Sequence, residues 1–361
     1  MTSVSGPRYG GAAQHPPGRL AGMIATAVLI LSAPTVTDSQ TTPASFPPLL
    51  NSYITTSVRL TRPAREALLA GEPVTSLLDA VPETEVAIFG AVWIDAAPDT
   101  YVRLIKDIER FERGGAFRVT KRISDPPQLV DFALLTLPDQ DIEALKACRV
   151  SDCDIKLSEQ ALERIRQGVG WSRPTAKADA MTLFRQLIYE YVAGYYAGGN
   201  DRLAVYRDSD RPTFVATEFK SMIERMPELG EQLPELKAYL LGYPGVMLPG
   251  GTSFLYWQDV QFGLKPTIRV NHLVIDNRPG VTAVASKMIY ASHYFWTALE
   301  LRVLVPDPSR GRGFWFVNVS RSRSDGLGGV LGRLIRGRVQ KEVQKSLDAA
   351  LRATKARLER E

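Results

Sequence analysis

Histidine and cysteine are scarce in this chain, with three and two copies among 361 residues. That scarcity excludes most metal chemistry. A Cys/His zinc site needs ligand pairs at short spacing, but His15, His272 and His293 lie far apart and Cys148 and Cys153 stand alone in KACRVSDCDIKL. Their C-x4-C spacing is not the C-x-x-C of a redox pair. No metal and no cofactor is expected. The motifs H-E-x-x-H, G-x-S-x-G, the P-loop and a strand-borne G-x-G-x-x-G are missing too. GVMLPGGTS (245–253) is glycine-rich but leads into a strand, whereas phosphate cradles lead into helices. The acidic PDQDIE (138–143) stands at a helix start, where carboxylates favour the helix dipole.

Charge is also limited. The formal net charge is +5, and no RNP, zinc-module or helix-turn-helix signature accompanies the basic SRGRG and SRSRSDG stretches. No nucleic-acid partner is expected, and those stretches read as solvated loops. The segment from Asp325 onward holds nine Lys/Arg against five Asp/Glu. Peripheral contact of that end with an anionic membrane is one reading and a solvated face the other.

Long apolar runs are confined to the N-terminus. Arg8 and Arg19 precede LAGMIATAVLILSAPTV (20–36), so residues 1–38 read as a signal peptide. An uncleaved anchor is the alternative, since about 17 residues is the lower limit for a spanning helix. No cysteine follows the run until Cys148, which excludes a lipoprotein. The expected location is periplasmic or secreted, membrane-anchored if the segment is retained. In an oxidising compartment Cys148 and Cys153 would form a disulfide, closing a loop worth about 2 kcal/mol.

Residues 39–80 read as a Pro/Ser/Thr-rich linker and an N-terminal helix. ETEVAIFGAVWI (83–94) is strand-like, and APDTYVRLIKDIERF is helical with proline at its start. FRVTKRIS and VDFALLTL follow as strands. From 157 to about 245 the pattern turns helical, with Ser158 as an N-cap and Gly198-Gly199 closing the longest helix. After Gly250 five strands succeed one another, the NRPG turn (277–280) joining the second to the third. The chain closes on a helix whose stripe runs through Leu331, Leu334, Ile335, Val339, Val343, Leu347, Ala350 and Leu351.

This order resembles the START-like, or SRPBCC, helix-grip superfamily. The residues that carry the likeness are VAIFGAVWIDAAPDTYVRLIKDIERF, the 252–321 meander and the 326–359 helix. The resemblance implies an α+β fold in which a curved antiparallel sheet grips the long C-terminal helix around a ligand cavity. Residues 81–361 would form that domain, with 157–245 a helical insertion. SKMIYASHYF and CRVSDCDIKL also resemble stretches of secreted bacterial proteins, a likeness that carries no chemistry.

Candidate ligand contacts follow from strand alternation. Lys287, Ile289, His293 and Phe295 share a parity with the apolar Leu299, Leu301, Val303 and Val305. An even-length turn brings His272 to the same face. Trp257 and Tyr290 complete the expected set. The opposite parity, with Met288, Tyr290, Tyr294 and Trp296, is too apolar for solvent, so a bulge near Ser292 swaps the faces or the insertion covers the second one. The expected partner is an apolar or amphipathic small molecule, such as a lipid, held without turnover. One alternative is a cyclase- or hydrolase-type enzyme with His293 as base and Lys287 or His272 stabilising charge, which needs both histidines in one cavity. Another is an envelope interaction protein whose cavity is filled. A buried histidine or lysine hydrogen-bonded in the core is the plain reading of the same residues.

Overall fold

EVAIFGAVWI has a run of apolar residues from Val86 to Ile94, and every position of the strand it forms is buried. A strand buried throughout needs cover on both faces. The computed structural model, which describes residues 45–361 apart from Leu264 and Pro279, supplies it. The expected signal segment lies outside the described residues, and those described belong to one compact unit.

The N-terminal helices α1 (Pro48–Thr56) and α2 (Arg62–Leu69) lead to β1 (Val74–Leu77) and β2 (Glu85–Ile94). Next come α3 (Pro98–Lys106), α4 (Ile108–Phe111) and β3 (Phe117–Arg122). A largely helical segment then holds α5 (Asp139–Ala147), α6 (Glu159–Gly168) and α7 (Ala176–Gly198). It continues through the short hairpin β4 (Val205–Tyr206) and β5 (Thr213–Phe214) to α8 (Val215–Glu224), α9 (Pro227–Glu231) and α10 (Pro234–Gly242). The meander is β6 (Thr252–Phe262), β7 (Lys265–Arg278), β8 (Val281–Ala291), β9 (Phe295–Pro306) and β10 (Phe314–Ser324), and α11 (Gly329–Leu358) ends the fold.

The fold is α+β. Eight strands form one antiparallel sheet in the order β1-β2-β10-β9-β8-β7-β6-β3. The first long strand therefore pairs with the last, and β3 pairs with β6 across the helical segment, which occupies 123–251. The sheet is open and does not curl around α11. Residues 45–77, expected as linker and helix, pack two helices and an edge strand onto the sheet. VDFALLTL, expected as a strand, forms only a 3-10 turn at Leu129–Phe132. Ser158 caps α6 as expected, accepting from the Ala161 amide at 3.2 Å.

Alternation sorts the core into two faces. Phe89, Ala91, Trp315, Val317 and Leu301 pack with α1, α2, α8 and α10, whereas Val92, Ile94, Phe314, Phe316 and Leu351 pack with α3 and α11. Gly90 sits where α11 crosses β2: a Cβ there would lie 2.8 Å from Leu347 and 2.9 Å from Leu351. The basic SRSRS run belongs to β10 and not to a loop. Arg321 and Arg323 are buried and share Glu85, at 2.9 and 3.0 Å.

Cys148 and Cys153 form a disulfide beyond the C-terminus of α5, compatible with an extracellular or periplasmic protein. Replacing both with serine is expected to lower unfolding stability by about 2 kcal/mol. A urea melt unchanged by the double substitution would show that the loop needs no staple. Among the described residues, no helix is long and apolar enough to cross a membrane.

Candidate functional site: a cavity between the sheet and the C-terminal helix

On the face beneath α11, small and polar side chains replace the apolar ones toward the middle of the sheet. Ser286 and Met288 on β8, Ala298, Glu300 and Arg302 on β9, and Asn318 on β10 face a hollow of about 390 Å3. Tyr101, Phe111, Phe316, Leu347 and Leu351 supply apolar wall. The volume lies in the range of roughly 300–1,000 Å3 usual for small-molecule pockets.

A charged network floors this hollow. Arg302 makes a two-pronged ion pair with Glu300, Nε to Oε1 at 3.0 Å and Nη2 to Oε2 at 2.6 Å. Asn318 Nδ2 donates to the same carboxylate at 2.6 Å. Arg302 Nη2 reaches Glu112 only at 3.4 Å. Gln258 donates to Glu112 and accepts from Arg269 Nη2 at 2.8 Å. The ionisation of the two carboxyls follows from these distances. Burial opposes charge on both, but for Glu300 the Arg302 guanidinium and Asn318 prevail and hold its pKa below the ordinary range. For Glu112 burial wins and the pKa rises. Burial likewise opposes charge on Arg302, yet Glu300 and Glu112 keep it protonated above its ordinary value.

Four buried polar atoms of residues lining the hollow lack a well-formed hydrogen bond within the protein: Tyr101 Oη, which interacts with the Arg302 side chain, Arg269 Nε, Arg302 Nη1 and Asn318 Oδ1. Each such atom costs on the order of 1–3 kcal/mol unless something meets it. Three can donate and two can accept, counting the tyrosine hydroxyl twice. A ligand with oxygen acceptors and an apolar body would satisfy both floor and walls.

None of the seven expected ligand residues lines this cavity. His272 pairs with Lys287 in the β7–β8 ladder, and both face away from α11. Lys287 is wholly buried, donating to Tyr195 Oη at 3.2 Å and to Asn200 Oδ1. Tyr195 Oη lies 2.9 Å from His272 Nδ1. Ile289 stands at a bulge between Met288 and Tyr290, so beyond it the two parities exchange faces. The bulge expected near Ser292 lies at Ile289 and carries Tyr290 to the face that the helical segment covers, whereas Met288, of the same parity, stays on the face beneath α11. Ile289, Tyr290 and Trp257 pack under α5, α6 and α7, and Tyr290 lines a separate hollow of about 290 Å3 beside α6 and α7.

His293 lies in the corner between β8 and β9, where the chain reverses at Tyr294 (φ +63°) without glycine. Both its nitrogens are engaged, Nδ1 with Asp154 O and Nε2 with Asp141 Oδ2, each at 2.9 Å. It shares no hydrogen-bond partner with His272 and does not line the wider hollow that His272 borders. Phe295 packs with Met288, Ala291 and Phe262. A wider hollow of about 750 Å3 has His272 in its wall, but none of its lining side chains carries a buried polar atom without a partner.

The chain matches no family model, no curated protein and no solved structure. The function has to be argued from the site itself. Sequence reasoning passed over Glu300, Arg302, Asn318 and Glu112, and the signal for three of them was present. In TALELRVLV the charged pair alternates with leucines, and in FWFVNVSR one asparagine interrupts an apolar run. Such alternation ordinarily marks a solvent face, and only the cover provided by α11 turns it into a site.

Proposed function

We propose that the protein is a non-catalytic carrier of one amphipathic small molecule, held between the sheet and α11 with its polar end toward Arg302. The observation that carries this reading is the convergence of Tyr101, Arg269, Arg302 and Asn318, each with an unmet polar atom, on one hollow with a charged floor and apolar walls at Phe111, Phe316, Leu347 and Leu351. Water can meet those atoms in a hollow of this size, and a ligand oxygen would take its place there while its apolar body covers the walls. The helix-grip likeness is supported by β2 pairing with β10 and by β3 and β6 flanking the helical segment. A periplasmic or secreted location is supported by the disulfide and by the signal-like N-terminus.

Denaturing extraction of the purified protein, read by mass spectrometry, is expected to release an amphiphile. Anilinonaphthalene sulfonate should compete for the emptied site with one-to-one stoichiometry. Ala298→Trp, which places an indole in the hollow, should weaken that binding at least roughly tenfold. Protein that yields no amphiphile, together with probe binding untouched by Ala298→Trp, would rule the carrier reading out.

A further inference from the structure

The apolar stripe of α11 outruns the sheet. Leu351 and Leu358 are buried, but Val330, Leu331, Leu334 and Ile335 in the first two turns are 82, 76, 73 and 49 % exposed. Four adjacent large apolar side chains in water are an interaction site and not decoration. Their neighbours indicate the partner. At 100° per residue, positions 330, 331, 334, 338, 341 and 345 fall in an arc of about 100°. One side of the helix thus carries an apolar tip followed by the exposed cations Arg338, Lys341 and Lys345, with Glu342 at its margin and Asp348, paired with Arg352, further along the same side. Arg333 flanks the same tip.

We infer that this end of α11 docks on an anionic lipid surface, the apolar tip entering the headgroup layer and the three cations resting on lipid phosphates. Apolar residues and lysines on one side suit a membrane interface, whereas lysine is depleted from protein–protein interfaces. The sheet leaves these two turns of the stripe uncovered, so membrane contact there does not compete with folding. The inference stands apart from the cavity, whose walls use Leu347 and Leu351 further along the helix.

Co-sedimentation of the full chain with phosphatidylcholine vesicles, with and without phosphatidylglycerol, tests it. Binding to the anionic vesicles is expected. Leu331→Asp with Leu334→Asp should reduce the partition coefficient roughly tenfold or more. The triple variant Arg338→Glu, Lys341→Glu, Lys345→Glu should abolish the preference for phosphatidylglycerol. All these side chains are exposed, so both variants should melt like the parent. The apolar run at 20–36 is common to every variant and sets the background. Equal partition of parent and variants, or a parent dimer that the leucine substitutions dissociate without any vesicle binding, would overturn the inference.

Discussion

Acidification from pH 7 to pH 3 is expected to cost the fold roughly 5 kcal/mol through His272 alone. Burial, and secondarily the Lys287 charge, lower its pKa from 6.5 to about 3. The folded state thus holds the imidazole neutral over a range where the unfolded chain protonates it. A group with a depressed folded pKa contributes stability above its unfolded value and loses it as pH falls. The loss should begin near pH 6.5, proceed at about 1.4 kcal/mol per pH unit, and level off near pH 3. Geometry suits the same neutral form: Lys287 donates to Tyr195 Oη, whose own hydrogen is then free to go to Nδ1. Protonating Nδ1 removes that acceptor and puts a second cation beside the lysine. His272→Asn keeps an acceptor near Nδ1 and cannot titrate. Urea melts at successive pH values should show its stability flatter than the parent's between pH 6 and 4. Parallel slopes would mean that His272 titrates normally in the fold.

Much of the sheet was legible because its signals are local. The meander, the NRPG turn and the Ser158 cap each depend on a few neighbouring residues, and the even-length turn places His272 opposite Lys287. VDFALLTL was not legible, because a short apolar run suits a strand or any buried segment equally. Its Phe132, Leu135 and Leu137 are buried in the cluster that α7 joins, and that packing overrides the pattern. The stripe of α11 shows which side of a helix can be buried but not how far its partner extends. Thirty residues reach about 45 Å, and the ten of β2 about 33 Å.

The site was less legible for a related reason. Alternation separates two faces without saying which element covers each one. Lys287 and His272 were found as a same-face pair, but that face belongs to α7 and the helical segment. Glu300 and Arg302, in the next strand and on the opposite parity, hold the cavity floor. The bulge at Ile289 then moves Tyr290 to the other face, and nothing in SKMIYASHYF marks it.

Arg302→Met should therefore have the largest effect of any substitution in the cavity, below the roughly 3–5 kcal/mol of a fully buried pair because 34 % of the Glu300 side chain stays open to the hollow. The methionine nearly fills the guanidinium's space but leaves Glu300 facing the hollow with Asn318 and the more distant Arg269 as its remaining neighbours. In the parent, Glu300 has a depressed pKa, so the stability it contributes is present above the ordinary carboxylate range and fades as pH falls through it. In the variant the guanidinium no longer offsets desolvation, so the carboxyl pKa moves up from its parent position and the stability it contributed above the carboxylate range shrinks. The two stability curves should converge in acid and separate above about pH 4.5. Adding Glu300→Leu removes the stranded charge, and replacing a buried ion pair by apolar groups is often neutral for stability. The double variant should fold nearly as well as the parent yet bind anilinonaphthalene sulfonate at least roughly tenfold more weakly, since Arg302 no longer meets the sulfonate and only Arg269 and Arg357 remain as cations in the wall. Recovery of probe binding along with stability would reduce Arg302 to a structural ion and move the ligand's polar end elsewhere.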